Sequence, residues 1–285
     1  MLAQRIITAI VLFAIIFAAA AASTPVPLLL FIALASAACL WEWLRLTLGT
    51  SGRVGVPFAV GVVFAAMATL ALLKGGHNLA AVFPQTERLR YFMMAVSAFW
   101  VVGAGWAVYN GDTTRNPYNI IFSLFGMAAV FATWLSLSVM FITHGAWFLV
   151  SFMALVWCAD IGAFFFGRAI GGPKLAPRVS PGKTWSGAVG GVIASLAWLF
   201  ISSVWPGSFG AALLQAWPVW LVGLLGIGLT ALSIVGDLFE SLLKRRANTK
   251  DSSGLLPGHG GFFDRTDALL PVAPLVYLVM TGLLA

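Results

Sequence analysis

Four acids, Asp160, Asp237, Asp264 and Asp267, stand beside the densest groups of cations in the chain. Asp264 and Asp267 are three residues apart and share one surface where that turn is helical. Upstream, Ser233, Asp237, Glu240, Ser241 and Lys244 follow helical spacing and draw a polar stripe along an otherwise apolar segment. Glu240 precedes Lys244 by four residues, so a solvated helix end carrying an intrahelical pair accounts for it. Asp237 lies deeper in the apolar run. Carboxylate oxygens are hard ligands suited to Mg²⁺, and Mg²⁺ together with Lys and Arg neutralises phosphates during transfer. The chemistry that fits this set is metal-assisted transfer of a phosphate-bearing group.

Two polar segments supply the remaining parts. Residues 241–267 carry Lys244, Arg245, Lys250 and Arg265, and His259 among Gly258, Gly260 and Gly261. Those glycines let backbone amides approach an anion closely, and the imidazole can donate to a phosphate oxygen or carry a proton. Residues 167–184 end in Ser180, Pro181, Gly182, Lys183 and Thr184 ahead of an apolar run, where helix-start amides and a cation can hold phosphate. A basic loop lying against lipid headgroups explains the same composition. The segment ends like a Walker A loop without being one, because Pro177 stands where that motif needs its first glycine.

The elements that must position these residues are membrane helices. Of 285 residues, 61% are hydrophobic and only 9% charged, against roughly 25% charged in a soluble domain. A helix crossing the hydrocarbon core needs about 20 mostly apolar residues. Segments near 5–22, 26–44, 54–73, 91–110, 118–142, 146–166, 185–204, 216–240 and 267–284 meet or approach that length. The expected fold is therefore all-α and polytopic, with about nine transmembrane helices; eight is the competing count, because Ser23, Thr24 and Pro25 alone separate the first two. Residues 1–142 form spans without a recognisable motif, residues 143–285 carry both polar loops, and the whole reads as one continuous membrane domain.

Placing the N-terminus in the cytoplasm puts Arg5, Arg45, Arg53, Arg115, Arg168, Lys174, Arg178, Lys183, Lys244, Arg245, Arg246, Lys250 and Arg265 inside and leaves Lys74, Arg88 and Arg90 outside. The positive-inside rule favours this orientation, with the C-terminus outside. Asp160 then lies about 9 Å, and Asp237 about 5 Å, within the cytoplasmic ends of their spans at ~1.5 Å per residue. The net charge of +7 follows from this topology and does not call for nucleic acid. Cys39 and Cys158, each inside an apolar stretch, support neither a disulfide framework nor a Cys-based zinc site.

The run Ser241, Lys244, Arg245, Lys250, Asp251, His259, Gly260, Gly261, Asp264, Arg265 and Asp267 resembles the signature of the phosphatidate cytidylyltransferase, or CDP-diacylglycerol synthase, family. The resemblance continues upstream through Asp160, Gly167 and Arg168, Ser180 to Trp185, and Gly236 and Asp237. It departs at Gly182 and Ser186, where the family commonly has a basic residue and an acid.

The resemblance implies condensation of CTP with phosphatidic acid, a membrane lipid, to give CDP-diacylglycerol and pyrophosphate at the cytoplasmic face of the cell's inner membrane. It assigns Asp237, Lys244, Asp264 and Asp267 to catalysis, with Asp237, Asp264 and Asp267 as ligands of one or two Mg²⁺ ions. Mn²⁺ is an expected substitute, a monovalent ion an expected companion, and a homodimer the expected assembly. Substrate contacts fall to Ser180, Lys183, Thr184, Arg245, Lys250, His259, Arg265, Asp160 and Arg168. A CTP-dependent transferase or kinase acting on another membrane lipid would keep the same metal and phosphate logic. A transporter would use Asp160 and Asp237 as coupling-ion ligands but predicts a symmetry between halves that the sequence lacks. A noncatalytic lipid-binding protein needs cations and not the spaced carboxylates.

Overall fold

The protein is an all-α integral membrane protein. Its structure, a computed structural model, describes residues 2–48, 55–75 and 86–282. Arg53 lies outside the described residues, and the side chains of Arg5 and Lys74 are outside the described side chains.

The helices are α1 (Leu2–Ala20), α2 (Val26–Thr47), α3 (Gly55–Gly75), α4 (Glu87–Asn110), α5 (Ile120–Ile170), α6 (Trp185–Ser202), α7 (Phe209–Ala216), α8 (Val219–Arg246), α9 (Phe263–Thr266) and α10 (Leu269–Met280). Five of them, α2, α4, α5, α6 and α8, are long and apolar enough to cross a membrane. Shorter apolar helices run over Ile10–Ala20, Gly55–Ala71 and Leu269–Met280. Each segment expected to be apolar and helical overlaps a helix. The fifth and sixth expected segments are two halves of α5, which breaks at Gly145. There φ is +85°, a backbone state that glycine reaches without a Cβ clash. α4 loosens into a π-helical turn at Trp100–Ala104, where Trp100 is fully buried.

Three local features differ from the sequence expectation. α8 continues to Arg246 and not to 240, so Arg245 joins Ser241 and Lys244 of the polar stripe on the helix. The buried Leu242 and Leu243 extend its apolar face, and three cations in the last turn suit the negative end of the helix dipole. The 167–184 connection folds into an antiparallel hairpin, β1 (Lys174–Ala176) and β2 (Ser180–Thr184). The 203–218 connection contains α7, capped by Ser208, whose hydroxyl accepts the Ala211 N–H at 3.0 Å. Phe209 at its start is fully buried against Phe148 and Phe152.

Lipid tails are as apolar as leucine, so helix association in a bilayer depends on close packing more than on escape from water. Glycine provides it between α5 and α6. A Cβ on Gly162 would lie 2.6 Å from the Gly190 carbonyl oxygen, and one on Gly191 would lie 2.9 Å from that of Ala159. A second centre forms around Trp43 of α2, which is fully buried, stacks on Phe263 with centroids 4.8 Å apart, and donates its indole N–H to the Phe122 carbonyl at 2.9 Å. Trp100, Phe125 and Phe239 surround it. At the end of α8, Arg246 Nε donates to the Asp112 carbonyl at 2.9 Å and the guanidinium lies over Phe122.

Replacing Gly162 by Val is expected to cost about 1–3 kcal/mol through overpacking and to lower the thermal unfolding midpoint in detergent. Gly223→Ala, whose added Cβ meets open space, is expected to leave the midpoint unchanged or slightly raised. Tryptophan fluorescence on heating reads both.

Candidate active site

The site begins where α8 meets the start of α10. Gly236 has no side chain, and a Cβ there would collide with the Asp267 carbonyl oxygen and the Pro271 ring. That close approach sets Asp267 beside the carboxylates one and four residues beyond Gly236. Asp237, Glu240 and Asp267 each place a carboxylate oxygen within 4.8 Å of the other two. Glu240 and Asp267 are buried and Asp237 is half-buried. Glu240 Oε1 is buried without a hydrogen-bond partner, and Asp267 Oδ1 accepts the Ala268 N–H at 2.8 Å. Two oxygens on one Mg²⁺ are at most ~4.2 Å apart. A small inward rotation of these side chains therefore suits a divalent cation, and the all-oxygen donor set and the orphaned Glu240 oxygen fit the same ion.

The β1–β2 hairpin brings a cation to this cluster. Val179 at its turn is buried against Leu238 and Leu242 of α8, which fixes the hairpin on the helix bearing the acids. Lys183 Nζ pairs directly with Asp237 Oδ2. Asp160, from the C-terminal half of α5, has Asp237 and Lys183 as its electrostatic neighbours. Arg245 Nε donates to the Val179 carbonyl at 3.4 Å, a second tie between α8 and the hairpin.

A second charged group lies one helical turn away. Lys244 Nζ is 2.7 Å from Glu240 Oε2 and 2.7 Å from Asp264 Oδ1. Asp264 Oδ2 accepts from the Ser252 N–H at 2.9 Å, the Ser252 hydroxyl at 2.7 Å and the Gly261 N–H at 2.8 Å. Burial acts to raise the Asp264 pKa, but hydrogen bonding with Glu240, Lys244, Gly261 and Ser252 outweighs it and holds the carboxyl well below the usual range. Asp264 is thus saturated by its own loop. The expected trio of Asp237, Asp264 and Asp267 is distributed over two neighbouring centres, with Glu240 completing the cluster around Asp237 and Asp267.

The other expected contacts take varied positions. Thr184 is buried and its hydroxyl accepts the Gly187 N–H at 3.1 Å, capping α6. Ser186, where the family commonly has an acid, donates to the Gly171 carbonyl and closes the hairpin base. Ser180 pairs with Ala176 across the hairpin. Arg168, Arg245 and Lys250 are exposed, the first at the end of α5 and the others at and beyond the end of α8. His259 is half-buried, with Nδ1 lacking a hydrogen-bond partner, while its carbonyl accepts from Arg265 Nε and Nη2 at 3.2 and 2.6 Å.

Sequence reasoning gave two acids no site role: Glu240, read as a solvated helix end, and Glu42, which it did not single out. Glu240 forms the intrahelical pair its spacing indicates, yet it is also 2% exposed and part of the carboxylate cluster. Glu42, in α2, is fully buried and accepts four hydrogen bonds from the 252–263 segment. The signal available for Glu42 was its acidity within an apolar segment, a costly placement that asks for partners.

Residues 3–283 match the family model described as the cytidylyltransferase family. A protein of Pseudomonas aeruginosa named phosphatidate cytidylyltransferase is 37% identical over 280 residues, covering 96% of this chain and 95% of its own. One of the same name from Haemophilus influenzae is 32% identical over 96% of both chains. Its namesake in Brucella suis is 50% identical over 130 residues, and in that alignment this chain spans 45% of the relative's length.

The depressed pKa of Asp264 stabilises the folded state wherever the unfolded carboxyl is already ionised. That contribution is complete above about pH 4 and is lost as pH falls through the folded value. The gap in unfolding midpoint between wild type and Asp264→Asn is therefore expected to be constant from neutral pH to about pH 5 and to narrow below about pH 4, as followed by thermal unfolding in detergent across that range.

Proposed function

The chain belongs to the cytidylyltransferase family, and from that premise we propose that it transfers CMP from CTP to phosphatidic acid, giving CDP-diacylglycerol and pyrophosphate. The observation that carries this reading is the Asp237, Glu240 and Asp267 cluster flanked by Lys183 and Lys244. Acids that can hold a divalent ion lie between cations that can hold phosphates.

In this reaction an ionised phosphate oxygen of phosphatidic acid forms a bond to the α-phosphorus of CTP, and the bond from that phosphorus to the oxygen bridging the α- and β-phosphates breaks, that oxygen leaving as a terminal oxygen of the pyrophosphate. The nucleophile is charged near neutral pH, so no strong general base is needed. Asp237, Glu240 and Asp267 would hold Mg²⁺, which when bound supplies charge neutralisation at the phosphate oxygens and the leaving group. Lys183 reaches the same oxygens from the hairpin and exchanges its pairing with Asp237 for a substrate phosphate. Lys244 balances Glu240 and Asp264 and keeps the loop charge compensated beside the triphosphate. The exposed Arg245, Lys250 and Arg168 form the outer positive field that draws in CTP.

The phases of the two substrates agree with this placement. CTP arrives from water while the acyl chains stay in the bilayer, so the chemistry belongs near an interface. With the cation distribution placing the 167–184 and 241–267 segments inside, that interface is the cytoplasmic face of the cell membrane.

Purified protein in detergent with labelled CTP, Mg²⁺ and phosphatidic acid tests the reading, with chelator and no-lipid controls and with diacylglycerol and an isoprenoid phosphate as competing acceptors. Wild type is expected to release pyrophosphate and form CDP-diacylglycerol, and Asp237→Asn to lose about a hundredfold or more of turnover. Transfer confined to another acceptor would replace the lipid substrate. Absence of CTP turnover under every lipid condition would overturn the assignment.

A further inference from the structure

Glu42 belongs to α2, far from the charged segments in sequence, yet both of its carboxylate oxygens point into the loop that carries Asp264. Oε2 accepts from the Ser252 hydroxyl at 3.0 Å and the Phe263 N–H at 2.7 Å. Oε1 accepts from the Ser253 hydroxyl at 2.5 Å and the Phe262 N–H at 3.2 Å. The side chain is fully buried. Gly261 is shaped for it, since a Cβ there would strike the Ser252 hydroxyl and both Glu42 oxygens.

The Ser252 hydroxyl also lies 2.7 Å from Asp264 Oδ2, so its single proton is shared between the two carboxylates in a three-centre contact and one serine bridges them. Asp264 in turn holds Lys244, which holds Glu240 of the carboxylate cluster. A continuous path of polar contacts therefore leads from α2 to the cluster, through a serine and an ion pair.

We propose that Glu42 is a positioning residue, fixing the 252–263 loop from α2 and, through Ser252, setting the carboxylate of Asp264 and the ammonium of Lys244 for the reaction. This role rests on the proposed function for its kinetic consequence. The requirement at position 42 is an acceptor-only group. A glutamine side chain has the same shape, but Phe262 N–H addresses one oxygen and Phe263 N–H the other. Whichever way the amide turns, its NH₂ faces a backbone donor that cannot reverse. Serine hydroxyls can reorient; backbone amides cannot.

The test uses the full chain purified in detergent. It compares wild type with Glu42→Gln and Glu42→Asp, measuring kcat and KM for CTP at saturating phosphatidic acid, normalised to folded protein, beside hydrogen exchange of residues 252–263. Glu42→Gln is expected to lose about tenfold or more in kcat with KM for CTP changed less than about threefold, as for loss of an orienting contact. Exchange across 252–263 is expected to quicken while that of α5 stays unchanged. Glu42→Asp, with two acceptor oxygens, is expected to retain more kcat than the Gln variant. Wild-type kcat in folded Glu42→Gln, or unchanged loop exchange, would overturn the proposal. Should Glu42→Gln not fold, Ser252→Ala carries the test, because it removes the bridge and leaves the buried carboxylate its two backbone donors. A drop of about fivefold or more in its kcat supports the proposal, and wild-type kcat overturns it. If wild type itself turns over no CTP, the functional reading fails, and loop exchange alone then decides whether Glu42 holds the loop.

Discussion

Lys244 stands between Glu240 and Asp264 at 2.7 Å from each, in a part of the molecule where a lone charge has little water to turn to. Removing one partner of a buried pair leaves the other uncompensated, at a cost on the order of 3–5 kcal/mol. This single ammonium therefore constrains everything around it. α8 must remain helical to Arg246 for Lys244 to reach Asp264, and the loop after α8 must return for Asp264 to meet Lys244. Three donors from Ser252 and Gly261 then saturate the second Asp264 oxygen. Breaking the lysine contact would remove the ion pair that ties this loop to α8.

Close backbone approach is the second requirement, and glycine meets it where helices converge. Gly236 lets α8 lie against the Asp267 carbonyl, so carboxylates from two helices gather in one place. Gly126 admits the Trp43 indole against α5, and Trp43 in turn stacks on Phe263 at the head of α9. Glu42 and Trp43 are adjacent, so α2 presents the loop with a carboxylate for its amides and an aromatic face for its phenylalanine. The polar and the apolar attachment arrive together on one rigid helix. Either alone would leave the loop a degree of freedom.

The sequence disclosed the parts of this design that repeat locally. Apolar run lengths located the helices, and the glycine at 145 separates two halves where the expected segments also divide. The polar stripe from Ser233 to Lys244 was visible because helical spacing lines it up within one element. Glu42 was not visible in the same way, because its donors are some 210 to 221 residues away in sequence. Glu240 was ambiguous for a different reason: its pairing with Lys244 is what an ordinary exposed helix end also shows, and only burial separates the two readings. The β1–β2 hairpin escaped notice since its strands are short and its buried turn residue, Val179, finds its neighbours on α8.

Under the proposed function the site admits a triphosphate from one side and a lipid from the other, and so cannot be sealed by a hydrophobic core. The loop from 247 to 262 carries Lys250, Asp251, two serines and four glycines. Rigidity has to come from specific polar bonds, whose strength rises as the surroundings dry out. Placing the anchoring acid on a membrane helix uses that effect: Glu42 is held by packing on all sides, and its bonds to Phe262 and Phe263 are shielded from water. Asp237 and Glu240 lie in the last third of α8, clustered with Asp267. The polar path from Glu42 through Ser252, Asp264 and Lys244 to Glu240 ties that cluster to α2.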